Sequence, residues 1–275
     1  MEVTQKYQER TYKYDEVCFF RKTKELFGGL SNMASGFPIK VNGIYILTSE
    51  ALYQACRFPH LPDVQRKIIN ERSPMTAKMV GKPFRGNTRQ DWDNTRVDIM
   101  YWCLRVKLAQ NFITFGQLLE TTCNKPIVED SNKDPFWGAI KDKRSENYLI
   151  GVNALGRLLM KLRQEYNSAK RFDLLFVEPL NIPDFFLYGE QIQTIDERQT
   201  FIDSLHKHWR LKPKQEINKE HINIQKEQPY LNGAEIQTTQ SIVAEPETKI
   251  EKPKKERAKR QTKKKAISQT ELPLI

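Results

Sequence analysis

The chain has 275 residues, of which 39% are hydrophobic and 29% are charged, and its formal net charge at pH 7 is +11. This composition excludes collagen and coiled-coil proteins, and no stretch approaches the roughly 20 consecutive apolar residues that a membrane-spanning helix needs. The four cysteines form no C-x-x-C pair, the four histidines lack zinc-ligand spacing and the first residues are polar, so we expect reduced thiols, no metal, no cofactor and a cytoplasmic protein.

Short strands and a glycine-bent loop are predicted before residue 48. Residues 17–20 and 39–47 have strand composition, and the second segment is expected to turn back at Asn42-Gly43, a pair that favours a tight hairpin. Residues 27–33 between them form the glycine-bent loop, and residues 1–10 are polar, so we expect no regular structure there.

Helical patterns dominate the next part of the chain. Thr48 or Ser49 is positioned to cap the first helix, which has Glu50 in its first turn. A basic loop is predicted at residues 81–88 and a strand at 126–129. The predicted helices cover residues 51–58, 62–80 with an interruption at Ser73-Pro74, 91–111, 113–121 and 153–166.

A change of composition near residue 170 divides the chain. Phe, Leu and Pro become frequent there, residues 193–211 have the pattern of an amphipathic helix, and the apolar periodicity then disappears. We therefore predict a compact, helix-rich α+β domain with a small β-sheet over residues 1–166, an ordered helical appendage over 167–211, and a disordered tail over 212–275.

The densest charge lies near the C-terminal end. Residues 252–265 contain nine Lys or Arg and one acidic residue. Such a run attracts nucleic acid without sequence choice, because each neutralised phosphate releases counterions; a solubilising tail is the alternative. The residues predicted to contact nucleic acid are Lys254, Lys255, Arg257, Lys259, Arg260, Lys263, Lys264 and Lys265.

The first predicted helix carries the most informative set of polar residues. Glu50, Tyr53, Gln54 and Arg57 follow at i, i+3, i+4 and i+7, which places them on one helix face. A carboxylate, an amide and a guanidinium on one face could bind and polarise a phosphorylated or hydroxylated ligand. The alternative is a solvent-exposed carboxylate that stabilises the helix dipole and pairs with the arginine.

Two glycine-containing segments are further candidates. In residues 134–138 a tryptophan precedes a glycine in a loop, and such an aromatic packs either on the core or on a planar ligand. Residues 151–156 contain two glycines at a predicted helix start, which fits either a phosphate-binding loop or a simple cap.

An ordered set of motifs resembles the NADAR family over about residues 17–164. The motifs are Phe19-Phe20, Leu30-Ser31-Asn32, Ser49-Glu50-Ala51-Leu52-Tyr53-Gln54-Ala55, Trp92, Met100, Val128-Glu129, Asp134-x-x-Trp137-Gly138 and Gly151-x-Asn153-x-Leu155-Gly156-x-Leu158-Leu159-Met160. The resemblance implies a helix-rich α+β fold and hydrolysis of N-glycosidic bonds. Members act on ADP-ribose attached to guanine or on amino-sugar-phosphate intermediates of riboflavin synthesis, and some are antitoxins of DarT-type DNA ADP-ribosyltransferases.

The resemblance also assigns roles to individual residues. Glu50 and Asp134 would be the catalytic carboxylates. The residues expected to bind the substrate are Phe20, Ser31, Asn32, Tyr53, Gln54, Arg57, Trp92, Trp137, Gly138, Gly151 and Asn153.

The chain departs from the family pattern at two places. Arg57 stands where many members have lysine; it keeps the positive charge but cannot form a Schiff base with an opened sugar. Ala139-Ile140 replaces an acidic-then-glycine continuation, and an insertion at residues 141–148 follows.

We predict from these features an ADP-ribosylglycohydrolase that acts on guanine in nucleic acid, because a purely metabolic enzyme has no use for a basic tail. The expected partners are ADP-ribosylated nucleic acid, DNA in preference to RNA, and a DarT-type toxin, with no membrane. The alternatives are a YbiA-like N-glycosidase of riboflavin intermediates and a non-catalytic module that binds ADP-ribose or a toxin. In the third case Phe201, Leu205 and Trp209 could dock into a partner; otherwise this helix packs onto its own domain.

Overall fold

Helices are the main regular structure of residues 7–211, the part of the chain that the computed structural model describes, with side chains described to residue 207. The predicted nucleic-acid contacts at residues 254–265 therefore lie outside the described residues. Short 3-10 turns join the helices at several points. The α-helices are α1 Ser49–Ala55, α2 Pro62–Ile69, α3 Pro74–Val80, α4 Trp92–Gln110, α5 Phe112–Glu120, α6 Ala154–Tyr166 and α7 Arg198–Leu211.

The strands of the described part are two to four residues long and form several small sheets. They are β1 Arg10–Lys13, β2 Cys18–Phe20, β3 Ile39–Val41, β4 Ile44–Ile46, β5 Ile127–Glu129, β6 Ile140–Lys141, β7 Tyr148–Gly151, β8 Phe176–Val177, β9 Phe186–Leu187, β10 Glu190–Gln191 and β11 Ile195–Asp196. β1, β7 and β6 form an antiparallel sheet, and β2 pairs with β5 in parallel. The other three pairs, β3–β4, β8–β11 and β9–β10, are antiparallel. This arrangement confirms the predicted helix-rich α+β class.

The core is built around α4, which is buried on most of its circumference. Ile99, Trp102 and Val106 are fully buried there, and α1, α5 and α6 pack around the helix. A helix of this length spans about 28 Å at 1.5 Å per residue, long enough to contact all three neighbours. No helix within residues 7–211 is both long and apolar enough to cross a membrane.

The segment after residue 170 contributes to the same core. The indole of Trp102 donates to the carbonyl oxygen of Glu178 at 2.9 Å, and its ring makes an edge contact with Phe185 at 4.9 Å. From α7, Phe201 packs edge-on against Phe112 at 5.2 Å. This part of the predicted appendage therefore packs onto its own domain, although the division of the chain at residues 166 and 211 stays a prediction. The side chain of Trp209 lies outside the described side chains.

Locally encoded elements agree with the sequence. The β3–β4 hairpin turns at Asn42 and Gly43, both with positive φ, as the turn chemistry predicts. Thr48 caps α1, since its side-chain oxygen accepts a hydrogen bond from the backbone N–H of Ala51 at 3.2 Å.

Two predicted segments differ from the structure, and the N-terminal prediction differs by one residue. Residues 193–197 are not helical, because Glu197 donates its backbone N–H to Leu175 and the Asp196 carboxylate accepts from the N–H of Arg198, which starts α7 there. Of residues 1–10, for which no regular structure was expected, 7–10 are described, and Arg10 alone belongs to a strand, as the first residue of β1. The predicted basic loop at 81–88 is largely a 3-10 helix.

Candidate active site

A cavity of about 380 Å³ lies between α1, α3, α4 and the segment that follows β5. It brings together most of the residues that the sequence nominated. Its lining residues are Ser31, Asn32, Met33, Glu50, Tyr53, Gln54, Arg57, Lys78, Gly81, Arg85, Trp92, Asp93, Arg96, Met100, Glu129, Ser131, Asp134, Trp137 and Leu155.

Glu50 enters this cavity from the first turn of α1. Its backbone N–H donates to the carbonyl oxygen of Asn32 at 3.0 Å, and its carboxylate accepts a hydrogen bond from the amide of Gln54 at 3.0 Å. Only 6% of the residue is exposed, so the solvent-exposed dipole carboxylate considered from the sequence was wrong. Burial raises the pKa of Glu50 and Asp134 adds to the effect, while Lys78 and the Gln54 hydrogen bond oppose it.

Aromatic rings form one wall of the cavity. The ring of Tyr53 contacts Trp92 at a centroid distance of 5.1 Å and Trp137 at 5.6 Å, the second edge-on. The guanidinium of Arg57 lies 5.0 Å from the centre of the Trp92 ring and donates to the Thr88 hydroxyl at 2.9 Å. Trp137 is half-buried and lines the cavity, so its ring offers a surface for a planar group.

Asp134 organises the loop that carries this tryptophan. One carboxylate oxygen accepts from the backbone N–H groups of Phe136 at 3.1 Å and Trp137 at 2.9 Å, while its own N–H donates to the Ser131 hydroxyl. Such bonds from an aspartate to the following backbone stabilise a turn. Asp134 therefore holds Trp137 in place as well as lining the cavity.

Glu129 is a third cavity carboxylate, to which the sequence assigned no role. It ends β5, paired with Phe20 of β2. Burial raises the pKa of Glu129 to about 7, with further increases from Glu50 and Asp134 and a decrease from Lys78. The sequence contained one sign that Glu129 could have a function: it is a charged residue directly after two apolar residues, Ile127 and Val128, of a predicted strand.

Positive charge lines the cavity beside these carboxylates. Arg57 was predicted, but Lys78 on α3, Arg85 on the 3-10 helix and Arg96 on α4 were not, because each comes from a different element. Arg96 lies 4.0 Å from the centre of the Phe136 ring. Cations next to carboxylates suit a ligand that carries anionic phosphates attached to a sugar.

Four predicted site residues, Phe20, Gly138, Gly151 and Asn153, do not line the cavity. Phe20 is 1% exposed and belongs to the hydrophobic core. A Cβ at Gly138 would collide with the carbonyl oxygen of Glu129, and one at Gly151 would collide with that of Gly138. These glycines are required for close backbone packing behind the site and not for ligand contact.

Asn153 was predicted to bind the substrate, but its side chain binds the protein backbone. It is fully buried with φ of 52°, its amide nitrogen donates to the Ile127 carbonyl at 2.8 Å, and its amide oxygen accepts from the Glu129 N–H at 3.2 Å. A Cβ at Gly156 would collide with the same Ile127 carbonyl. Residues 151–156 therefore fasten α6 to β5, and the phosphate-loop interpretation was wrong.

Metal chemistry has no ready ligand set in the described residues. Within residues 7–207, no group of three or more His, Cys, Asp or Glu side chains is arranged to hold a metal ion.

Several known proteins are similar to this chain over about half of its length or more. The NADAR domain profile matches residues 18–167. The chloroplastic riboflavin biosynthesis protein PYRR of Zea mays is 34% identical over 54% of this chain, and the riboflavin biosynthesis protein VVA0006 of Vibrio vulnificus is 30% identical over 66%. The chain covers only 25% and 49% of these two relatives.

A shorter relative is matched over nearly its whole length. The N-glycosidase YbiA of Escherichia coli is 34% identical over 55% of this chain and 89% of YbiA. The NMR structure of the E. coli protein YbiA aligns with a TM-score of 0.46 and 30% identity, covering 56% of this chain and 86% of that one. Because the domain profile spans more than half of the sequence, the chain belongs to the NADAR domain family.

Proposed function

We propose that this protein is an N-glycosidase that hydrolyses the bond between ADP-ribose and guanine in nucleic acid. The observation that carries the proposal is the presence of Glu50 and Glu129 in one cavity, where burial raises the pKa of both carboxyl groups and Glu50 raises that of Glu129 further. Perturbed carboxylates in a cleft are typical of groups that move protons during catalysis. The similarity to a protein named N-glycosidase YbiA supports the same class of reaction.

The two glutamates suit the two proton transfers that the reaction requires. Cleavage of a C–N bond at an anomeric carbon develops positive charge on the sugar ring. Glu50 would accept a proton from the attacking water, whose oxygen bonds to the anomeric carbon. Glu129, with its pKa raised to about 7, would give a proton to the nitrogen of the departing guanine.

The other lining residues suit the remaining parts of such a substrate. Arg57, Arg85 and Arg96 offer guanidinium groups to the two phosphates of ADP-ribose, and Trp137 offers a ring to one of its planar groups. Asp134 would bind a ribose hydroxyl or assist departure of the base.

Lys78 adds an amine to this cavity. Its charge lowers the pKa of both Glu50 and Glu129, which favours ionisation of the carboxylate that must act as the base. A covalent route through a Schiff base needs a lysine amine, which Arg57 cannot provide. Such a route would have to use Lys78.

The surroundings of the cavity favour a nucleic-acid substrate over a free metabolite. Lys82 is exposed and lies next to the lining residues Gly81 and Arg85. An exposed lysine there can contact a backbone phosphate that a small metabolite does not have. A DarT-type toxin would supply the modified guanine.

The decisive experiment measures release of ADP-ribose from matched substrates: DNA with ADP-ribosylated guanine and the corresponding free nucleoside conjugate. We expect release from both by the full chain and loss of both in Glu50→Gln. Lys82→Glu should lower kcat/KM roughly 10-fold for DNA alone and reduce its salt dependence by about one phosphate contact. Absence of release by folded protein would overturn the proposal.

The second candidate is hydrolysis of an amino-sugar-phosphate intermediate of riboflavin synthesis. Two relatives are named riboflavin biosynthesis proteins, which favours it. Release of base or amine from such an intermediate, without release from modified DNA, would establish this alternative. Tight binding of ADP-ribose with no turnover of either substrate would instead indicate a binding module.

A further inference from the structure

Lys107 is a buried cation in the middle of α4. The side chain is fully buried, and its ammonium nitrogen donates to the carbonyl oxygens of Gly29 at 2.8 Å and Ser31 at 3.1 Å. The same nitrogen lies 4.7 Å from the centre of the Phe37 ring and 4.2 Å from that of Phe115. It therefore binds two backbone carbonyls between two aromatic faces.

This environment is costly for a lysine. Burial alone lowers the pKa of Lys107 to about 7, with no described charged group contributing. Within residues 7–207, no carboxylate lies within ion-pair distance of its ammonium group. A buried charge that lacks a carboxylate partner requires another reason for its position.

The two carbonyls belong to the segment that builds the cavity wall. Ser31 and the adjacent Asn32 both line the cavity. The carbonyl oxygen of Asn32 accepts from the backbone N–H of Glu50 at 3.0 Å and from the Ser49 hydroxyl at 3.3 Å. A short chain of bonds thus runs from the ammonium group of Lys107, through residues 29–32, to the start of α1.

We propose that Lys107 is a positioning residue, whose ammonium group holds the Gly29–Ser31 turn so that Asn32 and Glu50 take their places in the cavity. It touches no substrate. The turnover readout below rests on the proposed N-glycosidase function, whereas the second readout does not.

Arg163 provides a matched control for this proposal. It is also a buried cation, and its guanidinium donates to the Thr122 hydroxyl at 2.6 Å and to the Lys125 carbonyl at 2.8 Å. None of these residues lines the cavity. Lys107→Met and Arg163→Met each remove a buried cation that binds a backbone carbonyl, but only the first removes the link to Glu50.

We expect kcat/KM of Lys107→Met, corrected for the folded fraction, to fall roughly 10-fold or more, since a small displacement of a catalytic group costs up to about 100-fold. The fall should lie mainly in kcat, because Glu50 acts in the chemical step. Arg163→Met should lose stability but stay within about 2-fold of wild-type kcat/KM. Equal specific activities of the two folded variants would overturn the proposal.

A titration provides a test that needs no substrate, and the Glu129→Gln variant is used because Glu129 lines the same cavity and has a pKa near that of Lys107. In this variant we expect the backbone amide resonances of Ser31, Asn32 and Glu50 to shift with the same midpoint as the Lys107 side chain, near pH 7. The amides of Thr122 and Lys125 should not follow it. Failure of the first three to follow would overturn the proposal, even if wild-type turnover were demonstrated; absence of turnover alone would contradict only the proposed function.

Discussion

The starts of α1 and α6 each have a polar residue followed by alanine and leucine, but the two polar side chains bind different groups. At the start of α1, Glu50 directs its carboxylate into the cavity and accepts a hydrogen bond from the side chain of Gln54. At the start of α6, both amide atoms of Asn153 are bonded to the backbone of β5. A polar side chain bonded to backbone groups stabilises the fold, whereas one placed in a cavity is available for chemistry.

Glu50→Gln should produce the largest effect. Turnover should fall about 100-fold or more, because general base catalysis typically contributes at least that factor. The folded protein should be as stable as wild type or more so: burial raises the pKa of Glu50, so ionised Glu50 destabilises the fold at neutral pH, and the glutamine removes that cost. Thermal unfolding and single-turnover kinetics measure both. A variant with wild-type turnover would remove Glu50 from the mechanism.

Asn153→Ala should show the reverse pattern, a clear loss of stability with a small loss of activity. Loss of its two buried bonds to β5 leaves the Ile127 carbonyl and the Glu129 N–H without this partner, which should lower the free energy of unfolding by about 2 kcal/mol. Activity per folded molecule should fall much less than in Glu50→Gln. Urea denaturation followed by turnover at low urea separates the two quantities. A variant that is stable but inactive would contradict the distinction between the starts of α1 and α6.

The pH dependence of activity and of stability should show what Glu129 contributes to the cavity. If Glu129 donates the proton to the base, kcat/KM should fall as pH rises through about 7, approaching 10-fold per pH unit above it. Its pKa is raised on folding, so its contribution to stability should decrease between about pH 4.5 and 7 as pH rises. In Glu129→Gln both dependences should disappear. Persistence of the alkaline decline in that variant would assign it to another group.

Thr48→Ala should give the smallest effect. The threonine caps α1, and loss of a cap costs about 1 kcal/mol. Ser73 caps α3 in the same way and provides the matched variant Ser73→Ala. Both should lower Tm by roughly 2–4 °C, measured by calorimetry. A drop several times larger for Thr48→Ala would show that the start of α1 supports more than its own first turn.

The sequence predicted those features whose cause is local. The turn at Asn42-Gly43, the cap at Thr48 and the common face of Glu50, Gln54 and Arg57 depend on neighbouring residues only. Strands β8 to β11 were not predicted, because segments of two residues become strands only through pairing with distant partners.

The missed site residues have a similar explanation. Lys78, Arg96 and Glu129 meet in the cavity from two helices and a strand, and no spacing in the sequence relates them. Lys107 gave no sign of its buried position, because α4 is covered on most sides and a lysine between apolar residues is normally expected to face solvent.

The pairing of β1 with β7 affects how the protein can be divided. A fragment cut to the family limits, residues 18–167, would lack β1 and leave the edge of β7 open for pairing with another chain. It would also expose the apolar surface that Leu175, Val177 and Leu187 cover. Expression of the NADAR region alone should therefore favour aggregation, and useful fragments should begin before Arg10 and extend through α7.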